Sequence, residues 1–176
     1  MGSGEFRTVR GYQLLQQNKR LLTPAMEDYL EMIYRNSLKE GYLRINKLAE
    51  LLNVKASSAS KMVQKLGELG LLKYEKYGII VLNDSGREIG EFLLERHRII
   101  EDFLKFLGCE GDVLVQTELI EHNINTDTVK NLKILNDFFE KNRDIADKYR
   151  EYRERIRYRD NPACDGMGTH LHDCQR

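Results

Sequence analysis

The stretch Ile45-Asn46-Lys47-Leu48-Ala49-Glu50-Leu51-Leu52-Asn53-Val54, followed by Lys55-Ala56-Ser57-Ser58-Ala59-Ser60-Lys61-Met62-Val63-Gln64-Lys65-Leu66, decides the fold. Ile45, Leu48, Ala49 and Leu52 recur at helical spacing, Asn53-Val54 interrupts them, and a new helix begins around Ser57 or Ser58. Two helices joined by so short a break form a helix-turn-helix. In the second of them Ala59, Met62, Val63, Leu66 and Leu69 face a core and Gly70 closes the helix, which leaves Ser57, Ser58, Ser60, Lys61, Gln64 and Lys65 on the outer side. Small polar and basic side chains at a helix start suit the major groove of double-stranded DNA.

Upstream, Thr23-Pro24 reads as an N-cap with proline at the first helical position, and Met26, Leu30 and Ile33 carry a helix to about Ser37, before a turn at Gly41. Downstream, Leu71 to Tyr74 and Ile79 to Leu82 are β-prone runs around Lys76-Tyr77-Gly78, a hairpin that serves as a wing. Asn83 then caps a long helix striped by Ile89, Leu93, Ile100, Phe103 and Leu107 up to Gly108. Three more helices are predicted: Val113 to Ile124, Thr128 to Glu140 behind an Asp127 cap, and Asp144 to Tyr158. The last carries an apolar seam of Ile145, Tyr149, Tyr152 and Ile156, suited to the body of the domain or to a partner subunit. The fold class is mainly α.

The chain has 176 residues and a formal net charge of zero, an average that conceals a division of labour. From Lys55 to Lys76, lysines 55, 61, 65, 73 and 76 meet only Glu68 and Glu75; from Gly108 to Asp127 there are acids and no Lys or Arg. The first segment suits phosphates and the second suits cations. No run approaches the roughly 20 apolar residues that cross a bilayer, and three cysteines are too few for a disulfide framework, so a cytoplasmic protein without membrane contact is expected.

The acidic residues cluster in a way that points to a metal. Asp28 and Glu31, three apart, share a face of the first helix; Glu118, Glu121 and His122 share a face at i, i+3 and i+4. Carboxylates held so close repel unless a cation intervenes. His97 lies between Leu93 and Ile100, on the inward side of the long helix. Each piece alone has an ordinary explanation, a solvated acidic face or a satisfied core histidine. Together they form an oxygen and imidazole set for a divalent first-row cation. Paired carboxylates and histidines also build dinuclear hydrolases, but those need a substrate cleft, whereas these residues join an N-terminal helix to a distant one beside a helix-turn-helix. A winged-helix regulator sensing another ligand is a further alternative.

From Thr23 to Phe139 the chain resembles the diphtheria toxin repressor family. The resemblance lies in Thr23 to Tyr34 (opening helix), Ser57 to Leu66 (recognition helix), Tyr74 to Gly78 (wing), Glu95-Arg96-His97 and Glu118 to His122. It implies a homodimeric repressor in which Asp28, Glu31, His97, Glu118, Glu121 and His122 bind two ions per chain, with Glu31 and Glu118 bridging. It also implies binding to a palindromic operator and control of manganese uptake genes. The match is to the manganese transport regulator branch. Iron-responsive relatives place a thioether and a thiol where this chain has Asp28 and Glu118, and hard carboxylates favour Mn²⁺ over Fe²⁺, the alternative ion. For DNA, Lys55, Lys61, Lys65 and Lys76 are expected on phosphates, and Ser57, Ser58, Ser60 and Gln64 on base edges. The expected organisation is an arm at 1–22, a winged helix-turn-helix domain at 23–90, a helical metal-binding and dimerisation domain at 91–160, and a tail at 161–176. That tail holds Cys164, His170, His172 and Cys174, a set open to Zn²⁺. A third, β-barrel domain is not expected.

Overall fold

Thr23 opens the first helix through its side chain: Oγ1 accepts a hydrogen bond from the Met26 amide, and Pro24 occupies the first turn, where no amide donor is needed. In the computed structural model, which describes residues 22–109 and 111–160, this helix is α1 (Pro24–Ser37). A two-residue strand β1 (Leu43–Arg44), α2 (Ile45–Leu51) and α3 (Ala56–Glu68) follow. Between α2 and α3, Asn53 takes φ 50°, a left-handed conformation that Asn tolerates better than most residues. The helix-turn-helix is thus present. Its second helix, α3, begins at Ala56, one or two residues earlier than the serines suggest, with Lys55 at the N-cap position.

The wing is a hairpin of β2 (Leu72–Glu75) and β3 (Ile79–Leu82), joined by a 3₁₀ turn at Lys76–Gly78. At its tip Tyr77 has φ 63° and is 91% exposed. β3 also pairs with β1, Leu43 opposite Ile80, to give an antiparallel sheet of order β1-β3-β2. The sequence shows only a turn before α2, because two residues are too short to display the alternation that marks a strand.

Asn83 caps α4 (Asp84–Leu107) by accepting from the Gly86 amide at 2.9 Å, and its side-chain amide donates to the Gly70 carbonyl, tying the helix to the end of α3. Gly108 ends α4 at φ 68°. The helix runs unbroken through residue 90. Asp112 caps α5 (Val113–Glu121), which stops before Ile124, with His122 at its C-cap. α6 (Thr126–Lys141) starts two residues earlier than predicted, because Asn125 and not Asp127 is the cap: Asn125 Oδ1 accepts from the Thr128 amide at 2.8 Å. α7 is Arg143–Asp160.

The chain divides into two compact units, residues up to Leu132 and residues from Lys133. The core of the first gathers Leu22, Leu30, Ile33, Leu48, Val63, Leu66, Ile80, Ile89 and Leu93. Leu22, assigned above to the N-terminal arm, is therefore part of this core. α1 packs along α4, and α5 packs on the later part of α4. Gly90 makes the first contact possible: a Cβ built there would lie 2.5 Å from Tyr34 Cβ. In the second unit, Ile145, Tyr152 and Tyr158 of α7 are exposed. The expected arm before Leu22 and the Cys164, His170, His172 and Cys174 set lie outside the described residues.

Candidate metal centre

Three helices of the first unit bring the predicted ligands together. α1 contributes Asp28 and Glu31, α4 contributes His97, and α5 with its C-cap contributes Glu121 and His122. They fall into two groups, Asp28 with Glu121 and His122, and Glu31 with His97 and Glu121; within each, one donor atom per residue lies within 4.8 Å of the others. Glu121 belongs to both groups, whereas the bridging carboxylates implied by resemblance are Glu31 and Glu118. Glu118 is exposed and stands in neither group.

Burial raises the stakes of this cluster. Glu121 and His97 are 2% and 7% exposed, and Glu31 is 9% exposed. His97 Nδ1 lies 3.1 Å from Glu121 Oε2, and His122 Nε2 lies 3.0 Å from Asp28 Oδ1. The hydrogen bond to Glu121 raises the His97 pKa against the effect of burial. His122 is pushed up to about 9, first by the bond to Asp28 and then by one to Glu27. Burial, and then the charge of Glu121, raises the Glu31 carboxyl, although Arg35 Nη2 donates to it at 2.6 Å.

These residues fit a divalent cation. The charge of Glu121 opposes ionisation of Glu31, and a cation nearby would remove that cost. The donors are carboxylate oxygens and imidazole nitrogens with no thiolate, which suits hard to borderline first-row ions.

Two further residues of the site escaped sequence reading. Glu27, itself buried, accepts from buried Arg96 Nη2 at 2.9 Å and lies 3.1 Å from His122 Nδ1. Burial alone would raise the Glu27 carboxyl, but His122 and Arg96 outweigh it and hold it below its usual range. A signal was available, since Glu27 and Glu31 are four apart and share a helix face as readily as Asp28 and Glu31.

The DNA-directed candidates lie on α3, at its N-cap and at the wing. Lys55, Ser57, Ser58, Lys61, Gln64 and Lys65 are exposed along α3, while Ala59, Val63 and Leu66 are buried beneath them; Lys76 is exposed at the wing. Ser60 differs. It is half-buried, and its Oγ lies 3.2 Å from Tyr74 Oη of β2, a bond between recognition helix and wing.

Residues 21–80 match the family model for the N-terminal DNA-binding domain of iron-dependent repressors. Residues 83–149 match that family's metal-binding and dimerisation domain. The HTH-type transcriptional regulator MntR of Shouchella clausii (strain KSM-K16) is 41% identical over 134 residues, 76% of this chain and 94% of that protein. The chain belongs to the iron-dependent repressor family. Within this family, also known as the diphtheria toxin repressor family, it falls in the manganese transport regulator branch. MntR of Lysinibacillus sphaericus (strain C3-41) is 39% identical over 72% of this chain and 91% of its own length. Among solved structures, the manganese regulator SloR is 33% identical with a TM-score of 0.56, over 65% of this chain and 55% of SloR. A manganese-dependent transcriptional repressor in complex with manganese is 31% identical with a TM-score of 0.57, over 64% and 53% of the two chains. This chain thus spans about half the length of these two solved family members.

Proposed function

We propose that this chain is a metal-dependent transcriptional repressor that senses Mn²⁺, binds two ions, and controls manganese uptake genes. The observation that carries this reading is the position of the two ligand groups. One joins α1, which packs on the helix-turn-helix core, to α5, the other joins α1 to both α4 and α5, and Glu121 stands in each. Asp28, Glu31, His97, Glu121 and His122 would hold the ions, and exposed Glu118, three residues before Glu121, is the further carboxylate that would be drawn in.

A bound ion supplies positive charge that removes the mutual repulsion of Glu31 and Glu121. The chain does the rest. α1 is held against α4 and α5, and the exposed face of α3 is presented in one orientation rather than several. Two chains associated as a dimer would place their recognition helices one DNA turn apart, roughly 34 Å, on a palindromic operator. Lys55, Lys61, Lys65 and Lys76 would meet phosphates, and Ser57, Ser58, Ser60 and Gln64 base edges, Ser60 with a hydroxyl that also bonds Tyr74. Coupling is reciprocal, so operator DNA must tighten metal binding by the factor by which metal tightens DNA binding.

The carboxylate-rich donor set supports Mn²⁺ over softer ions, with selectivity arising from ligand hardness and coordination number, since intrinsic affinity places manganese last among the divalent first-row metals. The test is an anaerobic titration that counts Mn²⁺ and Fe²⁺ per chain while DNA binding is followed. DNA binding indifferent to either metal would overturn the reading.

A further inference from the structure

We propose that Glu27 is a positioning residue for the His122 half of the metal centre, and that Arg96 in turn holds Glu27. This rests on the metal-binding reading above. The His122 imidazole is gripped on both sides. Nδ1 lies 3.1 Å from Glu27 Oε2, while Nε2 lies 3.0 Å from Asp28 Oδ1 and 3.8 Å from Glu121 Oε1. A proton kept on Nδ1 and donated to Glu27 makes Nε2 the nitrogen that would face a cation held among the Asp28 and Glu121 oxygens. The same bond stops the ring from rotating. Carboxylates on the far nitrogen of ligating histidines act in this way throughout metal-binding proteins, fixing tautomer and ring orientation.

Glu27 belongs to neither ligand group. Its Oε2 is already occupied by Arg96 Nη2 at 2.9 Å and by His122. The Arg96 side chain is 6% exposed, and its Nε has no hydrogen-bond partner among the described residues. Such a group is costly to bury, and an apolar side chain would generally pack at least as well. Charge explains the arrangement better than packing does. An unpaired cation beside His122 would repel a metal ion, and an unpaired Glu27 would compete with His122 for it. Paired, they are neutral overall and leave Glu27 able to orient the imidazole.

The experiment is Mn²⁺ calorimetry on the full chain as wild type, E27Q, E27A, H122A and E27Q/H122A, with thermal melts of each metal-free protein. In E27Q, one of two ions is expected to bind about ten- to a hundredfold more weakly. The ion held by Glu31, His97 and Glu121 should keep its affinity, and E27Q should have no added effect in the H122A background. NMR of the Cd²⁺-loaded protein gives a second readout: the His122 Nδ1 proton should exchange slowly in the wild type and faster in E27A. Equal weakening of both ions, additivity with H122A, or unchanged affinity and proton exchange in E27A would each overturn the proposal. Wild type that binds no Mn²⁺ would instead overturn the metal reading, and the proposal with it.

Discussion

Glu121 Oε2 lies 3.1 Å from His97 Nδ1, while the other oxygen of the same carboxylate, Oε1, lies 3.8 Å from His122 Nε2. One side chain therefore serves both ligand groups, and its removal should be the most damaging single change. E121A is expected to lose both Mn²⁺ ions and metal-dependent DNA binding. D28A and H97A should each lose one ion. Equilibrium dialysis with metal analysis checks this; an E121A protein that still binds one ion at wild-type affinity would contradict the shared role.

His122 makes the metal-free protein sensitive to pH. Its pKa rises from 6.5 to about 9, through the Asp28 hydrogen bond first and Glu27 second. A group raised on folding stabilises fully below its unfolded value, and that contribution disappears as pH rises through the folded value. The melting temperature of metal-free protein should therefore fall between about pH 6.5 and 9, and H122Q should lack that part of the fall. A Mn²⁺ ion held by His122 would also displace a proton near neutral pH. Calorimetric enthalpies should then vary with the buffer's ionisation enthalpy for the wild type and less so for H122Q.

Gly90 sets the distance between α1 and α4. Alanine in a helix ordinarily stabilises by about 1 kcal/mol relative to glycine, but here its Cβ would stand 2.5 Å from Tyr34 Cβ and 2.9 Å from Tyr34 Cγ. G90A is expected to reverse the sign, costing about 1–3 kcal/mol, and to weaken Mn²⁺ binding by moving Asp28 and Glu31 relative to His97. Urea unfolding and metal titration of one preparation test both effects together.

On DNA, K61A and K65A should reduce affinity across sequences alike and lower the salt slope by about 0.9 log units for each phosphate left without its lysine. Q64A should instead relax sequence preference, by about 1–3 kcal/mol at one base pair. Binding assays at several salt concentrations, with operator and scrambled DNA, separate the two behaviours. S60A should act through the wing, because Ser60 is bonded to Tyr74.

Much of the architecture was legible because it is written locally. The Thr23-Pro24 start, the Asn83 cap, the Gly108 stop and the periodic apolar residues of α1 to α4 depend on neighbours within a turn or two, which a linear reading can see. The failures were local competitions too close to judge: Asn125 against Asp127 as cap, Ala56 against Ser57 as helix start, and a two-residue strand with no alternation to detect.

The candidate ligands could likewise be chosen by residue type and helical spacing, since a face is a property of a single helix. What no single helix contains is the relation between faces. Glu27 meets Arg96 across 69 residues of sequence and His122 across 95, and these meetings depend on how α1, α4 and α5 pack. Sequence by itself determined a winged helix-turn-helix and a set of carboxylates and imidazoles suited to a hard cation. Only the tertiary structure decided that Glu121 falls in both candidate groups, that Glu118 is exposed, and that a buried Glu27–Arg96 pair stands behind His122. Side-chain spacing is inherited from the helix, whereas convergence of charges exists only once their helices are packed.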